Sequence, residues 1–109
     1  MAFSLYSATV PNFQQILGSV SRLVDKGEAF CKEKGISADE IIQARLAPDM
    51  FPFAYQVKST AVHSLGAIEG VRAGVFRPET APPPDSFAGL RERVEQAVLG
   101  LGAVTPDEL

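Results

Sequence analysis

The sequence predicts an all-α, up-and-down bundle of three long helices and one short one. Two observations carry this. Apolar residues recur at three- and four-residue steps over separate stretches, the spacing of one helical face. Each stretch is also bracketed by helix start and stop signals. At 109 residues there is room for a single domain spanning 1–109, with a proline-rich linker over 76–85 inside it.

The first long helix is expected to start between Leu5 and Thr9, with Pro11 in its first turn, where a missing N–H costs nothing. Val10, Phe13, Ile16, Leu17, Val20, Leu23, Val24, Phe30 and Cys31 form its apolar face. Lys32 and Lys34 suit the negative end of the helix dipole, and Gly35 supplies a left-handed cap. Ser37 and Glu40 then have capping-box spacing, so a short helix should run from Ala38 to about Ala44. Pro48 stops it.

Asp49 reads as the N-cap of a central helix reaching about Arg72, unless Ala47 or Pro48 already belongs to its first turn. Pro52 is tolerated only near that start. Gly74 closes the helix. Met50, Ala54, Val57, Ala61, Ser64, Leu65 and Ile68 make one face. Phe53, Gln56, Thr60, His63, Ala67 and Gly70 make a second stripe, suited to a close helix contact or a pocket wall. Glycines at 66, 70 and 74 suggest a groove where another helix backbone approaches. The run from Arg77 to Asp85 reads as a stiff extended connection rather than a peptide ligand. Asp85 or Ser86 then caps the third long helix, whose face is Phe87, Leu90, Val94, Ala97, Val98 and Leu101, with Gly100 and Gly102 at its end. Thr105–Leu109, TPDEL, has the form of one more helix opening.

Composition narrows function mainly by exclusion. The net charge is −3, and the ten basic residues are scattered singly, which argues against nucleic acid as a partner. No apolar run is long enough to span a bilayer, and the N-terminus lacks the form of a signal peptide. A single cysteine, Cys31, permits no internal disulfide and fits a cytoplasmic setting. Placed near a helix C-terminus, Cys31 reads as a packing residue rather than a nucleophile.

The segment Arg45–Phe53, RLAPDMFPF, followed by Gln56 and Val57, resembles the signature of the DUF1993 family. So do His63–Phe76, HSLGAIEGVRAGVF, the later Phe87–Leu90, and the start at Tyr6 with Val10–Phe13. That family is of unknown function and is similar to the DinB/YfiT-like four-helix bundles. The resemblance implies a DinB-like bundle whose members continue into a further C-terminal helix bearing a histidine. The TPDEL ending would then be the entry to a segment absent here, and truncation is favoured over a short form.

His63 is the first site candidate. The resemblance places a divalent metal on histidines of the second long helix and the fourth. His63 could correspond to the first of these, but no motif fixes the match. The chain has no second histidine, and no acidic residue stands four positions from His63. A metal needs three or four ligands, so no metal ligand and no cofactor are assigned in this chain. The structural reading of His63 is a boundary residue hydrogen-bonded inside the bundle. Gln56 shares its stripe and could pair with it, or make an interhelical hydrogen bond. Asp49 is a helix cap or a carboxylate aimed into a pocket at the bundle end, with Arg45 as its ion-pair partner or a binder of anions. Glu69 should face solvent. The sequence thus suggests a small molecule bound between helices, with a homodimeric or other helix-face interaction module, non-enzymatic or stress-related, as the alternative. It leaves open whether the protein is an enzyme.

Overall fold

A computed structural model describes residues 3–109. Among these residues the chain forms α1 (Leu5–Lys34), α2 (Ala38–Ile42), α3 (Phe53–Val62), α4 (Leu65–Ala73) and α5 (Phe87–Gly102), then one 3-10 turn (Pro106–Glu108), and no strand. The expected all-α bundle is observed. Its long dimension is 51 Å, against 26 and 22 Å across. The 30 residues of α1 account for most of that length, at about 1.5 Å per residue. No helix among the described residues is long and apolar enough to cross a membrane.

Helix α1 starts earlier than Pro11 suggests. The Ser4 hydroxyl caps it by accepting from the Ser7 amide at 3.0 Å, so Pro11 lies inside the helix. Pro11 cannot donate to the Ser7 carbonyl, but Ser7 is exposed and water can serve it. Val10, Leu17, Val24 and Cys31 form a buried row at seven-residue steps. They face Phe87, Leu90, Val94, Ala97 and Leu101 of α5, and Ile42, Ala54, Val57, Ala61, Ile68 and Val104 complete the core. Each fully buried Val, Leu or Ile among them contributes about 1.5–3 kcal/mol. Gly35, at φ 66°, ends the helix as expected.

Three local expectations are corrected. Ser37 precedes α2 but makes no side-chain cap, and α2 ends at Ile42. Asp49 does not cap the central helix. It lies in an exposed turn, and buried Pro52 is the N-cap instead. The reason is steric: Phe51 precedes a proline and is pushed out of helical geometry, so the helix begins only after Pro52. The central helix is also not continuous. The ladder breaks after the His63 amide bonds to the Ser59 carbonyl, and resumes in α4. Buried Ser64 turns its hydroxyl back onto the Thr60 carbonyl at 2.6 Å and the Ala61 carbonyl at 3.2 Å. Such back-bonding competes with the backbone ladder and bends helices. At φ −102° and ψ −83°, Ser64 is off helical geometry.

Side-chain pairings give the direction of each helix. Arg91 of α5 reaches Asp25 and Glu28 of α1, and the Phe87 ring lies where a Cβ on Gly27 would point. Helices α1 and α5 are therefore antiparallel. Leu65 abuts Gly100, and Arg72 pairs with Glu108, so α3–α4 runs parallel to α5. Parallel neighbours require a crossover that returns the length of the bundle. Residues 74–86 provide it. In extended form they reach roughly 40 Å, more than the roughly 30 Å length of α3–α4. The proline run stiffens this return path.

Candidate functional site: a groove beneath the linker

The crossover is fastened at three levels. At the lower end Gly74, at φ 81°, caps α4 in the left-handed region and reverses the chain. Phe76 then seats on α4. A Cβ added to Gly70 would lie 3.0 Å from the Phe76 Cβ and 3.3 Å from its Cα, and one added to Gly66 would lie 3.6 Å from its ring. The glycine spacing thus does mark a close backbone approach, but the visitor is the linker and not another helix.

Midway up, Lys58 is buried at 4% exposure. Its ammonium donates to the Glu79 carbonyl at 3.0 Å and to the Ala81 carbonyl at 2.5 Å. The Glu79 carboxylate is 3.8 Å away, and the Tyr55 ring centre 5.3 Å. Glu79 also accepts from Arg93 of α5 at 2.6 Å. At the upper end Pro84 packs against Gly89 at the start of α5, beside the Ser86 cap.

Between α4, α5 and this linker lies a groove of about 530 Å³, within the range of small-molecule sites. It is lined by Ala61, Leu65, Gly66, Gly70 and Ala97, mostly small residues, with exposed Ala73 at its edge. Its rim carries Glu69, Arg77, Glu79, Arg93 and Gln96. Arg93 is engaged by Glu79, whereas no ion pair engages Arg77 or Glu69 among the described residues.

The structure does not bring His63, Gln56 and Asp49 together. His63 is exposed at the C-cap of α3, with its ring 6.1 Å from the Phe76 ring. It lines a shallow hollow with Ala67 and Val71, on the other side of Phe76 from the groove. Gln56 is exposed and donates to the Phe51 carbonyl at 3.1 Å, not to His63. It borders an apolar hollow of about 230 Å³ with Leu46, Met50 and Phe51. Asp49 stays in its exposed turn, and Arg45 donates to the Met50 carbonyl at 2.9 Å instead of pairing with it. Glu69 is exposed, as expected. Cys31 is buried, with its sulfur 3.7 Å from the Ser37 carbonyl.

Among the described residues no group of three His, Cys, Asp or Glu side chains is placed to hold a metal. His63 alone does not meet the donor set of a divalent ion, so no step is assigned to one. Lys58 is the functional candidate that sequence reasoning missed. One signal was available: a lysine three residues before Ala61 and four after Ala54 on the apolar face. Its acceptors are linker carbonyls, which leave no trace in side-chain identity.

The model of the DUF1993 family, a domain of unknown function, matches residues 5–109. The chain belongs to the DUF1993 family. This DUF1993 chain is also similar to a solved structure, a DinB family member protein from Shewanella denitrificans. The TM-score is 0.80 at 25% sequence identity, over 95% of this chain and 59% of that one. The chain therefore spans less than two thirds of that neighbour's length. No curated protein matches it.

Proposed function

We propose that this DUF1993 protein is a cytoplasmic, small-molecule-binding helical bundle whose ligand lies in the groove beneath the linker. The observation that carries this is the groove itself: about 530 Å³, with small residues in its lining and a polar rim from three elements. Its lining is about as polar as apolar, so the groups converging on it suit a polar or amphipathic small molecule rather than a wholly apolar one. The assignment moves the site away from Asp49 and Gln56. His63 stays at its margin, behind Phe76.

The test is an NMR titration of the folded chain with 8-anilinonaphthalene-1-sulfonate, an amphipathic probe. Saturable amide shifts confined to Gly66, Gly70, Gln96 and their neighbours are expected. A Gly66→Trp variant with an unchanged circular dichroism spectrum should lose them. Shifts elsewhere, or an unaffected Gly66→Trp, would overturn the reading.

A second reading, a homodimer formed through helix faces, has one specific support. Ile16, Leu23 and Phe30 form an apolar row on α1 at seven-residue steps, 57%, 54% and 43% exposed. Light scattering decides it. Concentration-dependent doubling of mass, abolished by Leu23→Lys, is expected of a dimer, and a monomer at all concentrations rules it out.

A further inference from the structure

We infer that Lys58 is a positioning residue for the groove, a latch that holds the linker down as one wall of the site. The inference rests on the groove reading given above. Lys58 does not line the groove, whereas the linker residues it restrains do: Phe76, Arg77 and Glu79. Lys58 is 4% exposed as a residue, and two of the three N–H bonds of its ammonium are spent on linker carbonyls. Hydrogen bonds from a cation are about twice as strong as neutral ones. Here both converge on a span whose other anchors are the Gly74 turn with Phe76 seated on α4, the Glu79–Arg93 pair, and Pro84.

The Glu79 side chain adds a second arm. It accepts from Arg93 at 2.6 Å and lies 3.8 Å from Lys58, so it joins the parallel helices α3 and α5 through the linker. Every residue of the latch is thus at one level of the bundle. Residues 75–81 have no comparably buried polar anchor. If the latch opens, Lys58 can carry its charge out to water on its flexible stem. The same movement lifts Phe76 from Gly70 and opens the groove. The latch is therefore a device that sets how rigid the groove wall is, and its effect on binding should be indirect.

The experiment compares the folded wild-type chain with Lys58→Met, which keeps the apolar stem and removes every donor. Two readouts are taken. The first needs no ligand: nuclear Overhauser contacts between the Phe76 ring and the Gly66 and Gly70 α-protons. These should be present in the wild type and lost in Lys58→Met, while circular dichroism stays helical. The second is affinity for 8-anilinonaphthalene-1-sulfonate at the groove, which should fall about tenfold or more. A Phe76 that stays seated in Lys58→Met overturns the latch, and so does an unchanged affinity with Phe76 released. If the wild type gives no groove binding, the groove reading fails, and the Phe76 contacts still decide whether Lys58 holds the linker. Should Lys58→Met not fold, Glu79→Ala removes the side-chain arm from a more exposed position. It should weaken the same Phe76 contacts in part, and no change there would equally overturn the latch.

Discussion

Replacing the two glycines beneath the linker by alanine, one at a time, should move stability in opposite directions. Gly70 sits in the interior of α4, where exchanging glycine for alanine favours the helix by about 1 kcal/mol, and Gly66 is its second residue, where the gain is smaller. At position 66 the new Cβ meets the Phe76 ring at 3.6 Å and a Val62 methyl at 3.8 Å, which is ordinary contact. What propensity gain there is at this second helical position is kept, so Gly66→Ala should be more stable by up to about 1 kcal/mol. At position 70 the new Cβ meets the Phe76 Cβ at 3.0 Å and its Cα at 3.3 Å. The Cα belongs to backbone tied at Gly74 and Lys58, so it cannot swing aside as a side-chain tip would. Overpacking of this kind costs about 1–3 kcal/mol. The net for Gly70→Ala is therefore a loss of up to about 2 kcal/mol. For a domain of this size the gap between the variants corresponds to several degrees in melting temperature, at roughly 4–8 °C per kcal/mol. Urea unfolding followed at 222 nm measures it. Equal stabilisation by both substitutions would refute the seating of the linker on α4.

Other substitutions test the remaining joints. Leu90→Ala removes a fully buried side chain at the α1–α5 seam and should cost about 2–5 kcal/mol in the same assay. Arg91→Met removes contacts to Asp25 at 2.8 Å and Glu28 at 2.9 Å. The loss should be about 1 kcal/mol and should shrink in high salt, since the site is partly exposed; a loss unchanged at 1 M salt would count against an ionic origin. His63→Ala should change stability by less than about 0.5 kcal/mol, because the ring is exposed and makes no hydrogen bond; a larger drop in melting temperature would show an anchoring role. The Asp107 carboxyl is held below its ordinary 3.8, first by a hydrogen bond with the Thr105 side chain and then by its own amide. A depressed folded value means that its contribution is present above the unfolded value and lost as pH falls through the folded one. Carbon-detected titration should therefore place its midpoint below 3.8, and a midpoint above that value would contradict the capped turn.

Local chemistry made the helix termini legible where one residue settles the matter. Gly35 and Gly74 both adopt positive φ, and Ser86 caps α5. The α1 and α5 faces were legible in part. Val10, Leu17, Val24 and Cys31, and Phe87, Leu90, Val94, Ala97 and Leu101, are buried. Ile16, Leu23, Phe30 and Val98 of the same predicted faces are exposed, because the buried stripe is narrower than the apolar one. The middle of the chain was harder for a physical reason. Continuous periodicity from residue 53 to 73 cannot reveal that Ser64 will prefer the Thr60 carbonyl to a place in the ladder, because serine is compatible with both. At Pro52 two rules competed, the aspartate cap and the restriction on the residue before proline, and the second prevailed. The groove was less legible still. The glycine spacing announced a close approach, but the approaching segment came from the other side of a left-handed turn. The lysine that fixes it makes its hydrogen bonds to main-chain carbonyls.

That last point bears on where function lies in this bundle. His63 drew attention as the only histidine, and a metal held at one imidazole needs further ligands that no group of described residues supplies. The groove depends on no single reactive group. It arises because α3–α4 and α5 run parallel, which forces a long crossover, and because that crossover, itself exposed on its outer side, lies against small residues of α4. Prolines keep it extended, Gly66 and Gly70 let it sit deep, and Lys58 holds its middle. Each feature has a separate structural rationale, yet all four converge on one cavity wall. A connection needed only to join two helices gains little from a buried cation at its centre, since an apolar side chain would pack there without the desolvation cost of a charge. A lysine at that position is suited instead to holding the linker in register, through the carbonyls of Glu79 and Ala81.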